Sequence, residues 1–217
     1  MQKKGILAVA LLLVLVACTV GNYDTGDGTY SYLKAEMVDM HTVAANQVGS
    51  AQTDGGETLT FNPPYLCSWA TTPDSTYRAM LYYNAFQNNA KPVSAMNVYV
   101  LWPSRTAKVV AMDPVKMESM WLSENKKYIN VRLGVLTGKS DDANAKHNIG
   151  VVQQKVDIND QGHRKIYLQF SHNQNQIPEY YTTILYVSIP VSLYLPGDSI
   201  SLSVNSYNGM VEQSFGL

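Results

Sequence analysis

The sequence predicts an all-β chain, built as a small barrel followed by a β-sandwich. Three observations predict it. Apolar residues recur with a period of two, most plainly in Ser199-Ile200-Ser201-Leu202-Ser203-Val204-Asn205. The composition favours strands, with 15 tyrosines and charged residues at only 15%. Clusters of Gly, Asn, Asp and Ser separate the alternating runs as turns would.

At the amino terminus, Lys3 and Lys4 precede an unbroken apolar run from Ile6 to Ala17. Leu15-Val16-Ala17-Cys18 then matches the lipoprotein-processing pattern of bacteria. A thiol is the group that takes a diacylglyceryl chain as a thioether, and a small residue must sit at the cleaved bond. The run is too short for a membrane span, which needs about 20 apolar residues. A plain secretory signal leaves the cysteine unexplained. Residues 1–17 are therefore expected to be a signal peptide, with Cys18 as the lipidation site. Each buried methylene contributes about 0.8 kcal/mol, so two or three acyl chains would make the attachment permanent. Residues 18–29, poor in apolar side chains and rich in Gly and Asp, read as a tether.

Residues 30–112 carry five strand-like runs: Tyr32–His41, Thr42–Gly49, Glu57–Phe61, Tyr77–Phe86 and Ala95–Leu101. Thr53-Asp54-Gly55-Gly56 supplies a turn, and Pro63-Pro64 limits any helical turn between Asn62 and Trp69. Five strands with one long irregular stretch suit an OB-like β-barrel. Asp113-Pro114 is the expected boundary, because the residue before a proline tends to be extended.

Residues 113–217 hold the clearer alternation. Val115–Ser123, Ile129–Val135, Val152–Ile158, Ile166–Ser171, Leu185–Val191, Ser199–Asn205 and Met210–Phe215 make seven strands. Pro190 places its strand at a sheet edge or in a bulge. Asn159-Asp160-Gln161-Gly162 reads as a short hairpin loop. The set fits an immunoglobulin-like β-sandwich. With no cysteine in this half, it lacks the sheet-bridging disulfide of antibody domains.

Composition excludes several roles. Removing residues 1–17, with their two lysines and no acids, leaves 14 basic residues against 17 acidic ones. No basic surplus remains to neutralise nucleic-acid phosphates, so no nucleic-acid partner is expected. Cys67 is the one remaining thiol, so no internal disulfide can form.

Three segments resemble the NigD-like lipoproteins of Bacteroides-type bacteria. They are the leader with Tyr30-Ser31-Tyr32, the join from Asp113-Pro114-Val115 through Trp121 to Tyr128-Ile129-Asn130-Val131-Arg132, and Leu168-Gln169-Phe170-Ser171-His172-Asn173. The resemblance covers nearly all of the chain and is closest from Asp113 onward. It implies an OB-like domain followed by a sandwich, in agreement with the strand reading. It carries over no catalytic residue.

The residues themselves suggest no active site. His172 shares a strand face with Phe170 and reads as a satisfied structural histidine. A general-base role would need a partner. Asp157 to Gly162 begins like a calcium loop, but the fifth and twelfth places hold Gln161 and Leu168. Leu66-Cys67-Ser68-Trp69 lacks the glycine and second cysteine of a papain-type segment. The four histidines include no pair at zinc-ligand spacing. Neither a cofactor nor a metal is expected. The expected function is a non-catalytic binding module of the cell envelope, lipid-anchored through Cys18 at the outer membrane. Its partner would be an envelope protein or a glycan. The alternatives are an accessory subunit of a surface assembly and a bacteriocin-associated, immunity-like protein. Trp69, Tyr82, Tyr83, Trp102 and Tyr180 are the candidate partner-binding residues, since exposed aromatics favour contact surfaces.

Overall fold

The computed structural model describes residues 32–85, 90–105, 110–142 and 145–217. The expected signal peptide, Cys18 and the tether lie outside the described residues. Among those described, every extended regular element is a strand.

Five strands form the first sheet: β1 (Leu33–Ala44), β2 (Gln47–Thr53), β3 (Thr58–Leu66), β4 (Thr76–Asn84) and β5 (Lys91–Asn97). Their order is β3-β2-β1-β4-β5, and β5 comes back against β3. This is the OB-like barrel. Its interior is filled by Val38, Met40, Val48, Leu59, Phe61, Leu81 and Tyr83.

Two expected boundaries move. The strand break expected between His41 and Thr42 is absent, because β1 runs on through both with a shift in register. The turn comes at Asn46, one of the few non-glycine residues with positive φ, at 61°. Thr42 is fully buried, and its hydroxyl donates to the carbonyl of Thr72 at 2.7 Å. That tie to a distant loop is invisible in the local pattern. The second change is β3, which continues past Pro63-Pro64. Pairing with β2 jumps from Thr60 to Tyr65, so the prolines occupy an irregularity where no ladder bond needs their missing N–H.

The sandwich contains β6 (Tyr99–Val100), β7 (Lys116–Leu122), β8 (Tyr128–Thr137), β9 (Asn148–Ile158), β10 (Arg164–Asn173), β11 (Tyr181–Pro190), β12 (Ser199–Ser206) and β13 (Gly209–Gly216). One sheet runs β6-β11-β8-β7 and the other β13-β12-β10-β9. Ile129, Val131 and Leu133 of β8, with Val187 and Ile189 of β11, meet Ile166, Leu168, Ile200 and Leu202 from the opposite sheet. Each such side chain stabilises the fold by roughly 1.5–3 kcal/mol through burial alone. The β9–β10 loop is a hairpin, as its composition indicates. Asn159 Oδ1 accepts the amides of Gln161 and His163, and Gly162 takes φ 82°.

The chain enters the sandwich earlier than Asp113. β5 ends at Asn97, and β6 pairs in parallel with Val187 and Ser188 of β11. Ser104 then bridges Val152, Met112 bridges His172, and Val115 bridges Ser206. These are isolated bridges with no alternation, which explains why periodicity does not assign the segment to the sandwich.

Candidate functional site

Arg78, on β4, is the strongest polar feature of the barrel–sandwich junction. Its side chain is 1% exposed. Within its own domain it pairs with Asp39 at 3.2 Å and Asp54 at 2.7 Å. Across the boundary it donates to Ser188 Oγ at 3.1 Å and Asn130 Oδ1 at 3.2 Å, and it lies over the Tyr128 ring. Asn130 Nδ2 returns a bond to Asp54 at 2.9 Å. Burial, and then the Asp39 carboxylate, push the Tyr128 phenol up. Beside this network Met37, Met80 and Val98 pack with Tyr82, Trp121 and Tyr186. The planar guanidinium satisfies partners from both domains at once, so the network joins them.

Next to the junction lies a groove of about 570 Å³. Trp102, Val100, Tyr128, Pro190, Leu195 and Leu217 form much of its wall, with Lys126 and Lys127 also in the lining. Trp102 is 57% exposed and Leu195 63%. Tyr194 also lines it, yet this side chain is buried and its hydroxyl has no hydrogen-bond partner among the described residues. Burial pushes that phenol up. The titratable side chains of the lining are lysines and tyrosines; it has no carboxylate or imidazole side chain.

A second arrangement sits at the other end of β11. His172, wholly inside the sandwich, has Nδ1 3.1 Å from the carbonyl of Asp113 and Nε2 3.0 Å from His147 Nδ1. A carbonyl can only accept, so His172 Nδ1 carries the proton. In the neutral ring Nε2 then accepts from His147 Nδ1–H, and His147 Nε2 is left as a bare acceptor. That atom is buried and has no partner among the described residues. Burial, and then His172, hold the His147 imidazole below its ordinary value. His147 lines a cleft of about 500 Å³ between the sheets. Among the described residues no group of three or more potential ligands surrounds a metal position.

The comparisons with known proteins bear on this geometry. The family model for the NigD-like C-terminal β-sandwich domain matches residues 96–215. The chain belongs to the NigD-like family. Its matched span begins just before β6, in agreement with the early entry into the sandwich. Three solved structures share the fold. A NigD-like immunity protein from Bacteroides caccae has a TM-score of 0.63 at 22% identity, covering 83% of this chain and 91% of that one. A putative toxin-related protein from Parabacteroides distasonis gives 0.61 at 17% identity, covering 84% and 92%. A protein of unknown function from Bacteroides vulgatus gives 0.62 at 18% identity, covering 85% and 90%. No curated protein matches.

The NigD-like motif segments turn out to hold one another. Asp113 N–H donates to the carbonyl of His172, His172 N–H donates to Ala111, and the Asp113 carboxylate accepts the Gln174 amide at 2.7 Å. Arg132 pairs with Glu118 at 3.0 Å, and Trp121 packs in the junction cluster. The aromatic candidates separate. Trp102 lines the groove, and Tyr180 is 78% exposed but lines neither the groove nor the His147 cleft. Trp69 packs edge-on against Tyr77, with ring centroids 5.8 Å apart. Tyr82 is half-buried in the junction cluster. Tyr83 is a barrel-core residue, 1% exposed, whose hydroxyl donates to Glu36, so it offers no surface to a partner. The local sequence singles out neither Arg78 nor His147. Neither has a neighbour in sequence that betrays its partners, which lie up to 110 and 25 residues away.

Proposed function

We propose that this NigD-like chain is a non-catalytic binding module of the cell envelope, held at the outer membrane through lipid on Cys18. It takes a protein or glycan partner in the groove beside Trp102. The observation that carries the reading is that groove: an exposed tryptophan on an apolar wall, lysines in the lining, and the orphaned Tyr194 hydroxyl. Concave apolar sites with a few polar groups are where ligands are held. Acid–base catalysis needs a group that can take up a proton near neutrality, within reach of the reacting atom. The lining holds no carboxylate or imidazole side chain to serve as such a base, which supports binding over catalysis. The lipidation pattern at Cys18 supports the envelope address.

The test is crosslinking of the full-length lipoprotein in intact cells, followed by identification of what it captures. One partner or glycan should be recovered reproducibly, and Trp102→Ala should abolish its capture. Capture that survives Trp102→Ala rejects the groove, and reproducible recovery of nothing rejects the binding reading. A Cys18→Ala chain should leave the membrane fraction. The alternative, an accessory subunit of a surface assembly, is favoured by one observation: among the described residues, no strand pairs with the first half of β11 on the side away from β8.

A further inference from the structure

Strand β11 is paired along its whole length with β8, in unbroken register from Tyr181↔Thr137 to Pro190↔Tyr128. On its other side, among the described residues, β6 pairs with only Val187 and Ser188. The reason lies in the chain path. Immediately before β6 the chain belongs to the barrel, with Val98 N–H bonded to Arg78 and β5 laid along β4. The strand that would have covered the rest of β11 has gone to the other domain.

The direction of the backbone groups follows from the bonds at the paired end. Val191 N–H donates to Lys127, on the β8 side, whereas the Ser188 carbonyl accepts from Leu101, on the β6 side. Alternation therefore directs the N–H and C=O of Thr182 and Ile184 away from β8, towards the open edge. Pro190 has the same parity, so its missing N–H also lies on that side and costs no bond to β8. The side chains have the opposite consequence. Tyr181, Thr183 and Leu185 line the cleft between the sheets, together with Val135, Ile149 and His147. A strand laid beside β11 would send alternate side chains into that same cleft.

We propose that the open half of β11 receives an extended segment of a partner protein as an added strand. The segment's backbone pairs with Thr182 and Ile184, and its alternate side chains enter the cleft that His147 lines. Three independent features point to a polypeptide rather than another ligand. The amide–carbonyl line, unpaired among the described residues, is complementary to an extended main chain. The cleft beneath it is of side-chain size, about 500 Å³. His147, whose Nε2 has no hydrogen-bond partner among the described residues, lines that cleft. The inference rests on the binding reading but uses a different surface, so Trp102→Ala tests the groove and leaves this edge intact.

The probe is a phage-displayed library of linear peptides, panned against the mature chain. Enriched peptides should alternate β-branched residues with a Ser, Thr or Lys donor, and should slow hydrogen exchange at the amides of Thr182 and Ile184. Ile184→Pro removes an N–H that faces away from β8, so the variant should keep its fold while losing binding about tenfold or more. Thr182→Pro, at an exposed position, should behave alike if Ile184→Pro fails to fold. N-methylation of alternate peptide amides should abolish binding to the unaltered protein. Peptides that bind the proline variants unchanged overturn the proposal, as does a library that yields no binder. Protection of Thr182 and Ile184 that rises with protein concentration alone would overturn it in favour of pairing between two copies of this chain.

Discussion

Arg78 Nε donates to the hydroxyl of Ser188 at 3.1 Å, joining residues 110 positions apart and in different domains. Ser188 Oγ in turn donates to Asn130 Oδ1 at 2.7 Å, so the guanidinium reads two strands of the sandwich through one small network. The junction is thus held by directional bonds as well as by the packing of Met37, Met80 and Val98.

Arg78→Ala leaves Asp39 and Asp54 largely buried without their cation, and should cost about 3–5 kcal/mol. Arg78→Lys should restore little, because an ammonium cannot match the fork of a guanidinium. Urea unfolding would read the cost, and barrel and sandwich should unfold in separate transitions in the alanine variant. A single transition at the unaltered midpoint would refute the clamp.

Two aromatic substitutions should differ sharply. Tyr83→Ala empties a core position and removes the Glu36 partner, for a loss of about 3–5 kcal/mol. Trp102→Ala removes a side chain 57% exposed, so its effect on stability should stay within about 0.5 kcal/mol. Thermal unfolding of both variants checks the contrast.

His147 should make the sandwich sensitive to mild acid. Its folded value lies below its ordinary 6.5, first through burial and then through His172. The unfolded chain therefore binds the proton more readily, so this contribution is complete above about pH 6.5 and is lost as pH falls through the folded value. The melting temperature should drop on acidification across that window, and His147→Phe should flatten the drop. An unchanged profile in the variant would assign the sensitivity elsewhere.

Asp198 governs a lower range. Its carboxylate accepts from the Arg164 guanidinium and from the amides of Arg164 and Leu195. Chiefly through Arg164, its value is lowered from 3.8 to about 2. The contribution is present above pH 3.8 and disappears as pH falls towards 2. Asp198→Asn should cost about 1–3 kcal/mol at neutral pH, since an amide NH₂ would face the cationic donor. Denaturant titrations at neutral and acid pH would show the difference shrinking with acidity.

The sandwich strands are legible because each has one face in the core. Ile200, Leu202 and Val204 announce β12 by their spacing, and the burial of all three follows. Pro190 indicates an edge or a bulge; β11 instead lies between β6 and β8, and the proline falls just past the two residues that β6 pairs with. The barrel is harder to read, since Thr42 is buried by a bond to Thr72 and the Pro63-Pro64 irregularity lies within β3. Tyr82 and Tyr83 show a further limit. Alternation says they face opposite ways, but not that the outward face is covered by the sandwich.

The sequence by itself determined the all-β class, the two-part order and the family, because the side-chain alternation that specifies them is a property of neighbouring residues. Only the tertiary structure decided that Arg78 bridges the domains, that His147 meets His172, that Trp102 stays in solvent while Tyr83 does not, and that, among the described residues, half of β11 has one side unpaired. Those facts depend on which distant segments come together, and burial and hydrogen bonding at such meetings leave no periodic trace in the chain.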